Sequence, residues 1–400
     1  MWEQIRSNQV RSIVLVAAMG GVLLLLGWFF GSYFFDSPKA GLIFALILWG
    51  VMNLVAFFQG DAILLGVAGA RKIEREDHPQ LYNIVEEMRI ASGLEKPPNI
   101  YIIDDPALNA FATGRDVNHA SVAITAGLLQ KLNRDELQGV IGHEMGHIRN
   151  RDVLLMAITG VLLGTIVMLA WYATRFAFYG GMAGSRRRSS RNGGGGGQVI
   201  ILVVAIVLMI LAPLIAQLIY FAISRRREYL ADASSALYTR YPEGLASALE
   251  KLANSDTAVR AANQATAPMY TVNPLQKASM SANSLTATHP PIAERIRILR
   301  SMAGASYVDY ERAYKQTKGK GIVPASALAA GGTAGLRAAA PSKVEEPVEQ
   351  LDRARDTSDL LWRMNDYRTI DCECGTRLRI SPDYRESTVR CPHCGRVHSV

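Results

Sequence analysis

Four long stretches without a single charged side chain constrain this chain more than any other feature: residues 12–35, 40–60, 153–174 and 199–223. A helix needs ~20 mostly apolar residues to cross the hydrocarbon core of a bilayer, and each stretch is long enough. One such run can be a buried core helix; four in one chain point to membrane spans. The first run also exceeds the ~7–15 apolar residues of a cleaved signal, and no clean small-residue cleavage site follows it. It reads as a retained anchor.

The 400 residues carry a net charge of +8, and 49% are hydrophobic against 20% charged. That balance excludes a disordered chain. A basic protein can bind nucleic acid, but a basic cytoplasmic face explains the charge more simply. Arg6 and Arg11 precede the first span, and Arg71, Lys72 and Arg75 follow the second. The positive-inside rule then places the N-terminus and the segment after span two in the cytoplasm. Arg186, Arg187, Arg188 and Arg191, between spans three and four, oppose the rule if both of those spans cross fully. Either the bias is outvoted elsewhere or the two helices form an incomplete hairpin.

The soluble stretch after span two begins with His78-Pro79 and a helical pattern over Leu81, Ile84, Val85 and Met88, with Pro97-Pro98 expected to stop it. Short strands are expected at 100–103, 109–113 and 121–125, the last two joined by a turn at Gly114-Arg115-Asp116. Asn133 suits a helix N-cap, with Glu136 at N3 and Leu132 placed to staple onto Leu137. That helix is expected to run on toward span three. A globular pattern returns over 225–305, then a linker over 306–368 with a charged helix at 348–365, then a separate unit at 369–400. Residues 193–197 are a run of glycines in a flexible loop.

His143-Glu144-Met145-Gly146-His147 is an HExxH motif. On a helix, residues four apart share a face, so both imidazoles can bind one zinc ion. Glu144, one step round, suits the general base that deprotonates the attacking water. A catalytic zinc wants a third protein ligand. No following GxxH supplies a histidine, so the acidic candidates are Glu228 and Asp232, four apart just past span four. One can bind zinc while the other holds a ligand histidine by its second nitrogen. A solvated charge cluster beside Arg225–Arg227 is the plainer alternative.

HEMGH, the two spans between it and SRRREYLAD, the earlier PALNAFATG and the later THPP together resemble the HtpX-like membrane zinc metalloproteases, relatives of the type I prenyl-protein (CAAX) endoproteases. The resemblance covers roughly residues 10–305. It implies that His143, His147 and Glu228 bind zinc, that Glu144 is the base, and that Asp232 stands behind a ligand. Asn109, Ala110, Phe111 and Ala112 resemble the strand beside the cleft, where a substrate can lie extended and pair by backbone hydrogen bonds; a plain core strand is the alternative. His289 resembles a position that can donate to the oxyanion, or it is a histidine at a helix start, where Pro290 and Pro291 suit the first turn. Arg295, one turn on, reads as structural. The implied substrates are loops and tails of membrane or misfolded proteins, in quality control under stress.

All four cysteines, Cys372, Cys374, Cys391 and Cys394, fall near the C-terminus as CxC and CPHC. Two such pairs resemble a zinc ribbon, a closed four-thiolate structural site. The first pair departs from CxxC, leaving His393 and His398 as substitute ligands. Two disulfides are the alternative, disfavoured in a cytoplasmic setting.

The expected architecture is a mainly α membrane protein. A transmembrane hairpin (1–65) and a second hairpin with an Arg/Gly-rich loop (153–224) carry a cytoplasmic α+β gluzincin-type metalloprotease domain (66–152 and 225–305), with a C-terminal zinc ribbon. The expected activity is a multi-pass zinc endopeptidase of the cell membrane facing the cytoplasm, with one catalytic and one structural zinc. Its expected partners are protein or peptide substrates and the lipid bilayer, and not nucleic acid. A non-catalytic scaffold of the same fold has no need of Glu144. A prenyl-protein processing enzyme normally has more spans. A transporter would carry charged pairs within its spans, and these spans have none.

Overall fold

The computed structural model describes residues 2–34, 36–154, 156–158, 225–260, 269–272, 289–330, 334–338 and 347–400. Span four, most of span three, the arginine-rich loop and the glycine run lie outside the described residues.

Two long helices open the chain, α1 (Trp2–Phe34) and α2 (Pro38–Val67). Ser37 caps α2 by accepting from the Ala40 N–H, and Pro38 occupies the first turn, where its missing N–H costs nothing. A seam of small residues joins the pair. A Cβ on Gly27 would lie 2.6 Å from the Gly41 carbonyl oxygen, so only glycine permits this approach. The other side of α2 is uncovered: Ile43, Phe44, Ile47, Leu54 and Phe58 are all exposed. Among the described residues α2 is the one helix both long and apolar enough to cross a membrane; α1 holds a shorter apolar stretch, Val16–Phe29.

The chain leaves α2 through Gly69 and enters β1 (Ala70–Lys72) at once. Then come α3 (Pro79–Ser92), β2 (Asn99–Ile103), β3 (Ala110–Asp116), β4 (His119–Thr125), α4 (Ala126–Lys131) and α5 (Arg134–Arg149). The sheet order is β1-β2-β4-β3, with β2 and β4 parallel and the other pairs antiparallel. β3 is therefore an edge strand.

Two local expectations change. α3 ends well before the prolines, because Gly93 takes the left-handed conformation (φ 70°) and the Leu94 N–H closes onto Arg89. Gly114 (φ 141°) is a bulge inside β3 and not a turn; the reversal falls at residues 117–118. A Cβ there would sit 2.3 Å from the His119 carbonyl oxygen.

The main core lies between the sheet, α3, α5, a helix over 225–239 and the Pro242–Ala253 helix. A second cluster joins Leu64 and Leu65 at the end of α2 to Ile103, Ala107, Phe111, Ala123 and Ala157. The folded body is thus seated directly on the membrane-type helix.

The stretch expected to be a linker is largely structured. The Tyr307–Lys318 helix buries Tyr307, Tyr310, Ala313 and Tyr314 in the main core. Residues 334–338 are pinned: the Arg337 side chain meets Asp135 at 2.5 Å and lies over the Tyr241 ring. The Pro347–Met364 helix, expected at 348–365, buries Leu360 in the same core, and Arg363 donates to the Asp77 carbonyl at 2.9 Å. These apolar and charged anchors are too sparse along the sequence to show as a periodic pattern.

The last unit is two hairpins, β5 (Arg368–Asp371) with β6 (Arg377–Ile380), and β7 (Thr388–Arg390) with β8 (Val397–Ser399). Asp359 of the preceding helix binds Arg377 and, at 2.8 Å, Arg379, and Arg379 stacks on Trp362.

Candidate metal centre and cleft

α5 begins as its sequence predicts, with a reciprocal capping box between Asn133 and Glu136. It then carries Gly139, Gly142 and Gly146 on the side facing other helices. A Cβ on Gly139 would meet the Leu245 nitrogen at 2.6 Å, and one on Gly146 would lie 3.1 Å from the Ala231 Cα. These glycines give up some helix propensity. In return the 225–239 helix lies against α5 closely enough to bring Glu228 to the two histidines.

His143, His147 and Glu228 are all buried, and their candidate ligand atoms lie within 4.8 Å of one another. The Nε2 atoms of the two histidines are 3.2 Å apart, and each is 3.5 Å from a Glu228 carboxylate oxygen. Each imidazole is held from behind by a different acid. His143 Nδ1 is 3.0 Å from Asp232 Oδ1, and His147 Nδ1 is 3.3 Å from Asp152 Oδ2. A carboxylate on Nδ1 fixes the tautomer that offers Nε2 to a metal.

Asp232 is one of the two acids that the segment after span four offers. Asp152 is a residue the sequence reading missed. α5 was expected to continue toward span three, but it stops at Arg149, and Arg151 turns with φ 59°. That turn folds the next residue back onto His147. The only signal in the sequence was the polar Asn-Arg-Asp group between motif and span.

Arg295 is fully buried. Its guanidinium clasps Asp232 with two bonds of 2.8 and 2.7 Å and lies 3.4 Å from Glu228 Oε2. Burial opposes the charge of Asp232, yet Arg295 and His143 outweigh it and hold the carboxyl below its usual range. Burial likewise opposes a proton on His147, but Asp152 and Glu228 push its pKa up to about 10 in the metal-free site. His143 is raised for the same reason by Asp232 and Glu228. His289 is 3.7 Å from Glu228 Oε2, and burial pushes its pKa down to about 4.

Zinc fits this donor set. Two imidazoles and a carboxylate leave one position open, as in catalytic zinc sites. Glu228 Oε2 is buried without a hydrogen bond, the state of an acceptor meant for a cation. Glu144 is 1% exposed; Oε1 accepts from the Thr271 hydroxyl at 2.8 Å, and buried Oε2 has no hydrogen bond.

Ala110, Phe111 and Ala112 open the edge strand, Asn109 immediately precedes it, and all four are buried. The four cysteines converge separately. Cys372 and Cys394 are 3.5 Å apart at sulfur, and Cys374 and Cys391 are 3.7 Å apart, all as free thiols. Left-handed turns at Gly375 and Gly395 close the backbone around the Cys372–Cys374 and Cys391–Cys394 segments, each of which gives one sulfur to each pair. The metal-capable group there is the four sulfurs, without His393 or His398.

Residues 75–303 match the sequence model of Peptidase family M48. The protease HtpX homolog of Dictyoglomus turgidum is 44% identical over 301 residues, spanning 75% of this chain and 94% of that protein. The protease HtpX homolog of Streptococcus uberis is 41% identical over 302 residues, spanning 76% of this chain and all of that protein. The crystal structure of S. mikatae Ste24p aligns with 75% of this chain and 67% of its own at 22% identity, with a TM-score of 0.41. The cysteine unit lies beyond the stretch that the family model matches.

Proposed function

This chain belongs to Peptidase family M48 and is a zinc metalloprotease, and from that premise we propose which of its residues do the work and where it does so. His143, His147 and Glu228 hold the zinc. Asp232 and Asp152 aim the two imidazoles, and Arg295 neutralises the buried carboxylates behind them. The observation that carries the assignment is the convergence of three buried ligand atoms beside a buried glutamate with one unengaged oxygen.

A zinc held there would supply Lewis acidity toward the scissile carbonyl and the attacking water. Glu144 Oε2 takes the proton from that water and delivers it to the leaving amine. His289 stands beside Glu228. Neutral at physiological pH, it is suited to donate a hydrogen bond to the oxyanion rather than to carry charge. The substrate lies extended along β3, read by the Ala110 backbone and the Asn109 side-chain amide.

The membrane reading rests on α2, on the charge-free stretches in the sequence and on the seating of the body. Four helices cross the bilayer, and the metal centre faces the cytoplasm at the membrane surface. Phe111 of the substrate strand shares a cluster with Leu64 and Leu65 at the end of α2. Loops and tails of membrane proteins emerging from the bilayer are therefore the nearest substrates, with misfolded proteins among them. The four thiolates close a structural zinc that gives the C-terminal unit a core it is too small to build otherwise.

The test is proteolysis of casein by the detergent-purified full chain beside Glu144→Gln, with zinc counted in both. Two zinc ions per chain in both forms and cleavage by the wild type alone are expected. Equal cleavage by both forms, or one zinc that leaves with residues 369–400, would overturn the assignment.

A further inference from the structure

The outer edge of β3 is already engaged by the chain itself. The Thr271 N–H donates to the Ala110 carbonyl at 2.8 Å. The Asn109 side chain donates from Nδ2 to the Val272 carbonyl at 2.7 Å and accepts the Val272 N–H on Oδ1 at 3.3 Å. Tyr270, fully buried, stands edge-on to Phe111 with ring centroids 5.1 Å apart. The Thr271 hydroxyl lies 2.8 Å from Glu144 Oε1 and 3.0 Å from the Ala110 carbonyl, with one proton to share between the two acceptors, and Arg295 Nη1 donates to the Thr271 carbonyl at 3.2 Å.

These are the groups an extended substrate would use. Strand addition pairs the backbone of an incoming peptide with an open sheet edge, and the base must meet the attacking water. Here the edge carbonyl, the asparagine amide and one oxygen of the base all point at the same short segment. A mere connection between helices has no reason to set a hydroxyl on a general base.

We infer that residues 269–272 are a built-in pseudosubstrate, an internal segment that occupies the Ala110 carbonyl and the Asn109 amide at the start of β3 and holds Oε1 of Glu144 until a substrate displaces it. The inference rests on the peptidase reading above and says how that site is regulated and what it admits. A tethered competitor acts at an effective concentration on the order of millimolar. Short peptides, which pair at only one or two positions, compete poorly with it. Long extended segments, which continue pairing along β3 toward Thr113, replace it. The enzyme is thereby biased toward unfolded chain and spares small peptides and folded surfaces. The apparent affinity is lowered by the fraction of molecules in which the segment has left.

The test compares the zinc-loaded, detergent-purified full chain with Thr271→Val and Tyr270→Ala on a long unfolded substrate, casein, and on a fluorogenic octapeptide. Thr271→Val keeps the shape and removes the hydroxyl's contacts to Glu144 and to the Ala110 carbonyl, both of which hold the segment in place; Tyr270→Ala removes the buried anchor. The expected result is a severalfold fall in KM for the octapeptide in both variants, with kcat maintained and a smaller change for casein. If instead Thr271→Val lowers kcat at constant KM, Thr271 merely positions the base and the inference is overturned. Because Tyr270→Ala removes a core side chain, amide exchange adds a readout independent of activity. In Glu144→Gln saturated with casein, the Thr271 amide should lose protection, and retained protection would overturn the inference. Absence of cleavage by the wild type would instead count against the peptidase reading itself.

Discussion

His147 faces the Asp152 carboxylate through Nδ1 at 3.3 Å, across the turn that ends α5. The same acid lies 3.5 Å from Arg227, on the helix that supplies Glu228. One carboxylate therefore links the motif helix, its terminating turn and the helix bearing Glu228. Removing such an orienting partner costs ~10–100-fold in metal affinity. Asp152→Asn should show that loss in a competition titration with a zinc chelator while the circular dichroism of the protein stays unchanged.

Zinc binding should release protons. In the metal-free protein both histidines are held above their ordinary pKa, His147 at about 10, so at pH 7.5 His147 carries a proton that the metal must displace. Affinity should therefore fall as pH falls. The metal-free protein has the opposite sign: its His147 contribution to stability is complete below about pH 6.5 and fades as pH rises through about 10. Calorimetry in buffers of different ionisation enthalpy counts the protons, and a count of zero at pH 7.5 would contradict this electrostatic picture.

Arg295 is a buried cation clasping a buried anion. Deleting one member of such a pair costs about 3–5 kcal/mol, because the other is left without compensation. Arg295→Met should lower the melting temperature and also the zinc content, since Asp232 would then take up a proton and stop orienting His143. Lys at this position should recover part of the stability but not the two-bond geometry.

Gly146→Val tests the close helix contact. With 3.1 Å to the Ala231 Cα and 3.0 Å to the Ser234 Cβ there is no room for a branched side chain. Overpacking of this kind costs about 1–3 kcal/mol. The expected outcome is a helix pair pushed apart, a loss of thermal stability and a larger loss of bound zinc, measured together on one preparation.

Cys391→Ser should remove one zinc per chain and melt the two terminal hairpins, because Cys391 is one of the few buried residues of that unit. The catalytic zinc and casein cleavage should persist. Metal analysis and cleavage rates on the same sample separate the two sites.

Much of this was legible in the sequence because it was local. HExxH is a helix face, EYLAD is a second one, and the capping box at Asn133 announces where the first begins. The cysteine pairs are likewise local turns. What stayed hidden depended on backbone conformation or on distant contacts. Asp152 needed the left-handed turn at Arg151, a residue that rarely takes it. Thr271 meets Glu144 across 127 positions of sequence. Arg337 and Leu360 dock a stretch whose composition looked like a tether. Nor does any pattern tell an open edge strand from one its own chain has covered.

With α2 spanning the bilayer as proposed, the direct seating of the sheet on it would make the protease a gauge of height. Only residues 68–69 separate α2 from β1, and Leu64 and Leu65 pack in one cluster with Phe111, so the cleft is tied closely to the helix that carries it. With α2 in the bilayer, the cut must fall at a set distance from the lipid surface. An extended substrate advances ~3.3 Å per residue. Lengthening the spacer between a substrate's membrane span and its tail should then slide the scissile bond along the sequence, one residue for each residue added. The enzyme would be choosing its bond by altitude as much as by side chain.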